Sequence, residues 1–307
     1  MIPKIIHFIF GLKEDFGEKS FSFVHFLAVY TAWKVNNPDI IFLHYAFEPK
    51  GEWWDRAKPY LTLNKIDSPT EIFGNALNHY AHRADIIRLD MLKKYGGIYM
   101  DLDVLCINAF DPLLKYDFVM GLEPGVGLCN AVILSRPNAR FLSIWYDEYR
   151  NFDNRLWNYH SVILPWKLAK KNPSECHIVN KYSFFYPMYN DPVHLYLFGS
   201  SVSVRLRIKT LLRNFAKFGL YLLGIKKTKT AFYTFHAIYG RKWHYRKVNR
   251  AYCVHLWGSR WWDRYLKSLT PEFILNDSSN FSELTKRLIT EKELLTMCRN
   301  ESINGAR

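Results

Sequence analysis

Asp101 and Asp103 are two carboxylates separated by one residue, directly after the apolar run Ile98, Tyr99, Met100. Two acids presented so closely at the end of a buried strand can reach one hard cation and leave coordination positions open for phosphate oxygens. Asp85 lies 16 residues before Asp101, with Arg88 three positions on. Residues i and i+3 share a helix face, so this pair points at one locus. An arginine suits a diphosphate or a sugar hydroxyl, and a carboxylate suits bidentate bonding to sugar hydroxyls. Each motif alone has an ordinary reading, an acidic surface turn for one and a helix-face ion pair for the other. Their combined spacing favours a site.

The elements needed to position these residues are legible in the pattern around them. Residues 79–95 carry Ile86, Leu89 and Leu92 as an apolar stripe and stop at Gly96-Gly97, which predicts a helix. Residues 98–100 then form a strand that runs into the acids. Upstream, residues 4–10 read as a strand, 21–35 as a helix ended by Asn36-Asn37-Pro38, 40–45 as a strand, 52–60 as a short helix and 61–66 as a third strand. Downstream, 118–121 and 131–134 read as strands, and 139–149 and 161–171 as helices. Alternating strands and helices imply an α/β fold with a mostly parallel sheet, in which ligands bind at the carboxyl ends of strands.

Composition supports a folded core. The 307 residues are 49% apolar, 23% charged and 17% aromatic, which excludes disorder and low-complexity structure. The five cysteines, Cys106, Cys129, Cys176, Cys253 and Cys298, have no C-x-x-C spacing and an odd count, so buried reduced thiols are expected. The amino terminus reads as a first strand and not as a signal peptide, and no apolar run is long enough to span a bilayer. His160, His177 and His194 show no ligand spacing, and His7 reads as a core histidine. The pairs Trp53-Trp54 and Trp261-Trp262 are candidate stacking platforms for an acceptor sugar.

The net charge of +14 is concentrated. Residues 192–262 contain fourteen Lys and Arg and no acid, and the remainder of the chain is balanced. Within this block Val204, Ile208, Leu211, Leu212, Phe215, Phe218 and Leu222 recur at helical spacing, with Arg207, Arg213 and Lys217 between them. That is an amphipathic helix with a basic face, either packed on the domain or lying in the plane of an anionic membrane surface. The organisation expected is a core at 1–200, a basic amphipathic segment at 201–250, and a late active-site element with a C-terminal helix at 251–307.

The run A-D-x-x-R-x-x-x-L-x-x-Y-G-G-I-Y-x-D-x-D over residues 84–103 resembles the DXD sugar-binding region of glycosyltransferase family 32. That family includes bacterial capsule and lipopolysaccharide sugar transferases and yeast α-mannosyltransferases, and the large clostridial glucosylating toxins share the arrangement. The opening I-P-K-I-I-H-F-I-F-G and the late H-L-W-G-S-R-W at residues 255–261 resemble the family's first strand and late element.

The resemblance implies a GT-A fold, a nucleotide-sugar donor with UDP or GDP, a divalent cation such as Mn²⁺ or Mg²⁺, and retention at the anomeric carbon. By the same likeness Asp103 is the direct metal ligand, Asp101 contacts metal and ribose or sugar, and His255 approaches from the carboxyl-terminal side. Asp85 and Arg88 hold the donor sugar's hydroxyls beside Asn130, Tyr99 lines the pocket, and Ser259 and Trp261 close over the diphosphate. Phe10 stands where the family usually has tryptophan to stack on the base. The late element is offset by one residue from the commonest spacing, which leaves Trp257 or Trp262 as alternatives for Trp261.

The implied activity is transfer of a sugar to a glycan or lipid-linked acceptor by a cytoplasmic protein able to sit on an anionic membrane surface. The rival reading is an inactive transferase-like module that binds lipid or nucleic acid through its basic block. An intact set of Asp85, Arg88, Asp101 and Asp103 argues against that, and no base-reading motif is present. A glycoside hydrolase needs two carboxylates on either side of a sugar, whereas these two acids point at one locus. For the basic block, each Lys or Arg near anionic lipid contributes about 1 kcal/mol. Replacing Arg207, Arg213 and Lys217 with Glu is therefore expected to release the protein from anionic vesicles in a co-sedimentation assay. Equal retention of parent and variant, or equal binding to neutral vesicles, contradicts the membrane reading.

Overall fold

A computed structural model of the chain describes residues 1–15, 20–189, 194–198 and 241–299, together with positions 212, 215, 216, 219 and 223. The predicted helix at 204–223 otherwise lies outside the described residues. The described residues fall into two units.

The first unit comprises Met1–Phe185 and the short segment Tyr252–His255. Its centre is β1 (Ile5–Ile9), flanked in sequence by α1 (Phe23–Asn36) and β2 (Ile40–Tyr45). Then come α2 (Glu52–Ala57), β3 (Thr62–Lys65), the small hairpin of β4 (Glu71–Ile72) and β5 (Asn75–Ala76), and α3 (Tyr80–Tyr95). The chain continues as β6 (Gly97–Met100), β7 (Val104–Cys106), β8 (Phe118–Glu123), β9 (Gly127–Ser135), β10 (His177–Val179) and, after the first part of the second unit, β11 (Cys253–His255). Seven strands form one sheet in the order β10-β8-β9-β6-β1-β2-β3. Only β9 runs against its neighbours, and the other pairings in that sheet are parallel. This is the α/β architecture with a mostly parallel sheet that the sequence predicts and that a GT-A fold requires.

Local rules account for the elements near the acids. Helix α3 begins after His79, whose Nδ1 accepts the Ala81 backbone N–H at 3.1 Å. It ends at Gly96-Gly97 because both residues have positive φ, 65° and 105°. A Cβ on Gly97 would run into the Ile5 carbonyl, so the pair lets β6 press against β1. The side chains Leu89, Leu92, Tyr99, Met120, Ile133, Phe141 and Trp145 then form one buried cluster beneath the sheet. Three expectations differ from what is observed. The helix at 52–60 stops at Ala57 and tightens into a 3₁₀ turn over Lys58–Tyr60. The helix at 161–171 starts as a π-turn, Tyr159–Ile163, before Leu164–Lys171. Finally, β7, β10 and β11 are each only three residues long and carry too little pattern to be read alone.

The second unit holds the described parts of Tyr186–Ala251 and Leu256–Asn304. Its helices include Arg241–Asn249, Gly258–Trp261, Pro271–Asn276, Asn280–Leu288 and Glu291–Cys298, and Trp261, Tyr265, Ile274, Phe281, Leu284 and Leu294 are buried in it. Thr270, Ser279 and Thr290 cap the last three by side-chain hydrogen bonds. Cys106, Cys129, Cys176 and Cys253 are buried free thiols, as expected, and Cys298 is partly exposed.

His7 is indeed a core histidine, and it belongs to a chain of hydrogen bonds across three strands. Its Nε2 lies 2.8 Å from the Gly96 carbonyl and its Nδ1 lies 3.0 Å from His44 Nε2, while His44 Nδ1 lies 2.7 Å from Asn64 Nδ2. The assignment that satisfies every atom has both rings neutral: His7 donates to Gly96, His44 donates to His7, and Asn64 donates to His44. Burial lowers His7 from 6.5 to about 4 and His44 to about 3, the latter with added repulsion from His7. Folded-state values below the unfolded one mean that this stability is complete above about pH 6.5 and drains as pH falls toward 4. Glutamine at 44 offers the same donor and acceptor without titrating. His44→Gln is therefore expected to keep a near-parental thermal midpoint at pH 8 and to lose less of it than the parent at pH 5. An equal loss in both proteins contradicts the assignment.

Candidate active site

Four elements of the first unit converge at the carboxyl end of β6. Register places them there. His7 of β1 pairs with Tyr99 of β6, so Phe10 and Asp101 leave the sheet at one edge. On the other side of β6, β9 pairs Tyr99 with Ile133, and the Asp101 N–H donates to the Ala131 carbonyl at 2.9 Å. Helix α3 packs across this edge and supplies Asp85 and Arg88.

Arg88 is 5% exposed and is the hub. Its Nη2 is 3.2 Å from Asp85 Oδ1, and its Nη1 donates to the Asn130 carbonyl at 2.8 Å and to Asp101 Oδ1 at 3.3 Å. Nε returns to the Ala84 carbonyl at 3.2 Å, and the guanidinium lies 4.4 Å from the centre of the Tyr99 ring. Asn130 closes the loop by donating from Nδ2 to Asp85 Oδ1 at 2.7 Å, and Tyr99 donates from its hydroxyl to Asp101 Oδ1 at 2.6 Å. Asn130 is an interior residue of β9. The predicted set Asp85, Arg88, Tyr99, Asp101 and Asn130 is thus one connected network.

Asp103 meets His255, with Oδ1 3.2 Å from Nε2. The antiparallel pair β7–β11 sets Val104 opposite His255, which is what carries the histidine to the acids. Asp101, Asp103 and His255 each offer one ligand atom within 4.8 Å of the others. Two carboxylate oxygens and an imidazole nitrogen form a donor set that suits Mn²⁺ or Mg²⁺ and leaves positions for phosphate oxygens.

The electrostatics fit a site arranged for positive charge. Burial raises Asp85 and Asp101 despite the neighbouring Arg88, and Asp103 adds repulsion at Asp101. Burial acts against protonation of His255, but Asp103 outweighs it, with help from Asp101 and Glu123, and the imidazole is raised. Glu123 went unnoticed in the sequence. It ends β8, is 6% exposed, and accepts a hydrogen bond from the Cys129 thiol. Its signal was a charge closing an otherwise apolar strand run.

Phe10 is half-buried and packs against Phe21 and His25, with ring centres 5.4 and 5.0 Å away. Ser259 and Trp261 belong to the second unit. Ser259 is exposed, whereas Trp261 is buried and donates its indole N–H to the Tyr189 carbonyl at 3.3 Å. Trp257 is also buried there and donates to the Pro187 carbonyl at 2.8 Å. Trp53 and Trp54 are not free platforms: Trp54 is 2% exposed, and Trp53 packs on Phe23 and Phe26 at 4.7 and 5.5 Å.

A buried arginine with four acceptors is expensive to remove, because the buried Asp85 and the partly buried Asp101 are then left unbalanced. Arg88→Met is expected to lower unfolding stability by about 3–5 kcal/mol. Asp103→Asn, which keeps an acceptor for His255, is expected to cost less than about 1 kcal/mol. Denaturant midpoints of the two variants test this, and similar losses would contradict it.

Residues 24–119 match the family model described as the glycosyltransferase sugar-binding region containing the DXD motif. Glucan organizing enzyme 1 of Cryptococcus neoformans var. grubii is 31% identical over 306 residues, covering 95% of this chain and 72% of that protein. Inositol phosphoceramide mannosyltransferase 3 of Schizosaccharomyces pombe is 40% identical over 78 residues, covering 25% of this chain and 21% of that one. Mannosyl phosphorylinositol ceramide synthase SUR1 of Saccharomyces cerevisiae is 35% identical over 156 residues, covering 50% of this chain and 36% of that one. Among solved structures, PaToxG Glycosyltransferase aligns over 82% of this chain and 88% of its own at 17% identity and a TM-score of 0.39.

Proposed function

Because the chain belongs to the glycosyltransferases whose sugar-binding region contains a DXD motif, we propose that it moves a hexose from a UDP- or GDP-sugar to a glycan or lipid-linked acceptor, with retention at the anomeric carbon. The observation that carries this reading is the pairing of an Asp101–Asp103–His255 cluster with a sealed Asp85–Arg88–Asn130 network on either side of one strand end. The first suits a diphosphate and the second suits sugar hydroxyls.

Asp103 and His255, with Asp101, would hold a divalent cation, Mn²⁺ or Mg²⁺. When bound, the cation supplies positive charge against the leaving diphosphate. Asp101 is held by Tyr99 and Arg88, so its carboxylate stays oriented without reorganising. Asp85 and Arg88 would grip the donor sugar's hydroxyls and present the anomeric carbon at the cluster. Phe10 would stack on the base, and Ser259 and Trp261 would close over the diphosphate. The leaving phosphate oxygen would take the acceptor's proton, consistent with same-face attack.

Two of the relatives reported above are named for mannosyl transfer, so a GDP-mannosyl donor is the first to test. Among the described residues no helix is long and apolar enough to cross a membrane. Leu212 and Phe215 in the basic block are 64% and 57% exposed, which supports docking on an anionic lipid surface.

Donor hydrolysis over a panel of GDP-mannose, UDP-glucose and UDP-galactose is expected to appear with Mn²⁺ and vanish with EDTA. Asp103→Asn is expected to reduce it at least 100-fold, and Asp85→Asn to slow turnover while free nucleoside diphosphate still binds by calorimetry. Turnover that survives EDTA, or that Asp103→Asn leaves intact, contradicts the metal assignment.

A further inference from the structure

Trp157 is 60% exposed, yet it is held in place. Its ring lies edge-on to His79 at 4.9 Å and against His82 at 5.4 Å. Tyr80, 40% exposed, packs tilted against His79 with ring centres 4.4 Å apart, and Leu156 is 44% exposed. An indole left in water on a surface loop is ordinarily free to move. Here the loop is latched. Asp153 accepts both the backbone N–H and the guanidinium of Arg155, at 2.9 and 2.8 Å. Asn154 accepts the Asn78 N–H at 3.1 Å and donates to the Ala76 carbonyl, tying the loop to the β4–β5 hairpin. The Asp153 N–H donates to His160 Nε2 at 3.1 Å.

The polar groups around the ring are equally specific. His79 Nδ1 is occupied by its helix cap, which leaves Nε2 as the N–H donor of a neutral ring. His82 is 3% exposed, and its Nδ1 lies 3.4 Å from Asn154 Oδ1. Its Nε2 is buried and has no hydrogen-bond partner. His82 precedes Asp85 by one helical turn, about 4.5 Å along α3.

A rigid aromatic face, a donor beside it and an unpartnered buried nitrogen beneath it match a pyranose ring, which presents an apolar C–H face and a rim of hydroxyls. The donor sugar is already accounted for by Asp85, Arg88 and Asn130. We propose that Trp157, with His79, Tyr80 and His82, forms the stacking platform for a hexopyranose of the acceptor, one helical turn from the residues that hold the donor. This rests on the transferase reading above. Preorganisation is the physical advantage: a latched indole loses little freedom when a sugar lands on it.

Saturation-transfer NMR with methyl α-D-mannopyranoside and methyl β-D-glucopyranoside, in the absence of donor and metal, tests the proposal. The parent protein is expected to transfer saturation to the ring protons of at least one of them. Trp157→Ala is expected to weaken that binding at least fivefold, and Trp157→Phe to retain most of it, since a smaller aromatic face remains. No signal from the parent, an undiminished signal from Trp157→Ala, or equal loss in both variants overturns the platform. Because no nucleotide sugar is present, failure here leaves the transferase reading standing. A parent protein that hydrolyses no nucleotide sugar, in turn, leaves the glycoside result standing.

Discussion

A guanidinium sealed from water needs acceptors in several directions, and Arg88 finds them on three separate elements: Asp85 on its own helix, the Asn130 carbonyl on β9 and Asp101 at the end of β6. The planar fork of arginine can serve all three at once, which the point charge of a lysine cannot. The consequence is geometric. A helix and two strands are joined at the edge where a parallel sheet presents its ligand-binding end. Asp101 is oriented as a result, and Asp103, two residues on, meets His255.

That division separates two chemistries within a few residues. Asp85, Arg88 and Asn130 satisfy one another in a buried environment, where an unpaired polar group is costly. Asp103 and His255 meet through Oδ1 and Nε2 at 3.2 Å. His255 reaches Asp103 only because Cys253–His255 adds an antiparallel strand to Val104–Cys106. The Tyr186–Ala251 part of the second unit intervenes in the chain before that strand returns. The cost of closing so long a loop grows only slowly with its length, which is why a fold tolerates an insertion between two halves of one site.

The supporting shell is rigid at both ends. The His7–His44–Asn64 chain pins the Gly96 carbonyl at the junction of α3 and β6. At the opposite end of α3 the loop bearing Trp157 is latched to the hairpin before the helix. Helix α3 therefore runs between two tied ends with Asp85 and Arg88 in its middle, a disposition that fixes the geometry of that pair.

Local physics made the centre of the site readable in the sequence. Helical spacing put Asp85 and Arg88 on one face, Gly96-Gly97 marked a turn only glycine can make, and the alternation after Met100 set Asp101 and Asp103 beside each other. The α/β order was legible for the same reason, since amphipathic period and turn residues are properties of neighbouring positions. Contacts between distant segments obey no such period. Glu123 entered the site through a strand pairing, and Cys253–His255 became a strand because β7 was there to receive it. Trp53 and Trp54 looked like surface platforms and were taken into the packing against α1, while Trp157 carried no pattern and was left in solvent. Sequence by itself determined the motif, its helix and its strand. Tertiary structure decided which aromatic rings face water and which buried groups share a charge, because burial and electrostatic coupling depend on distances through space that no spacing along the chain encodes.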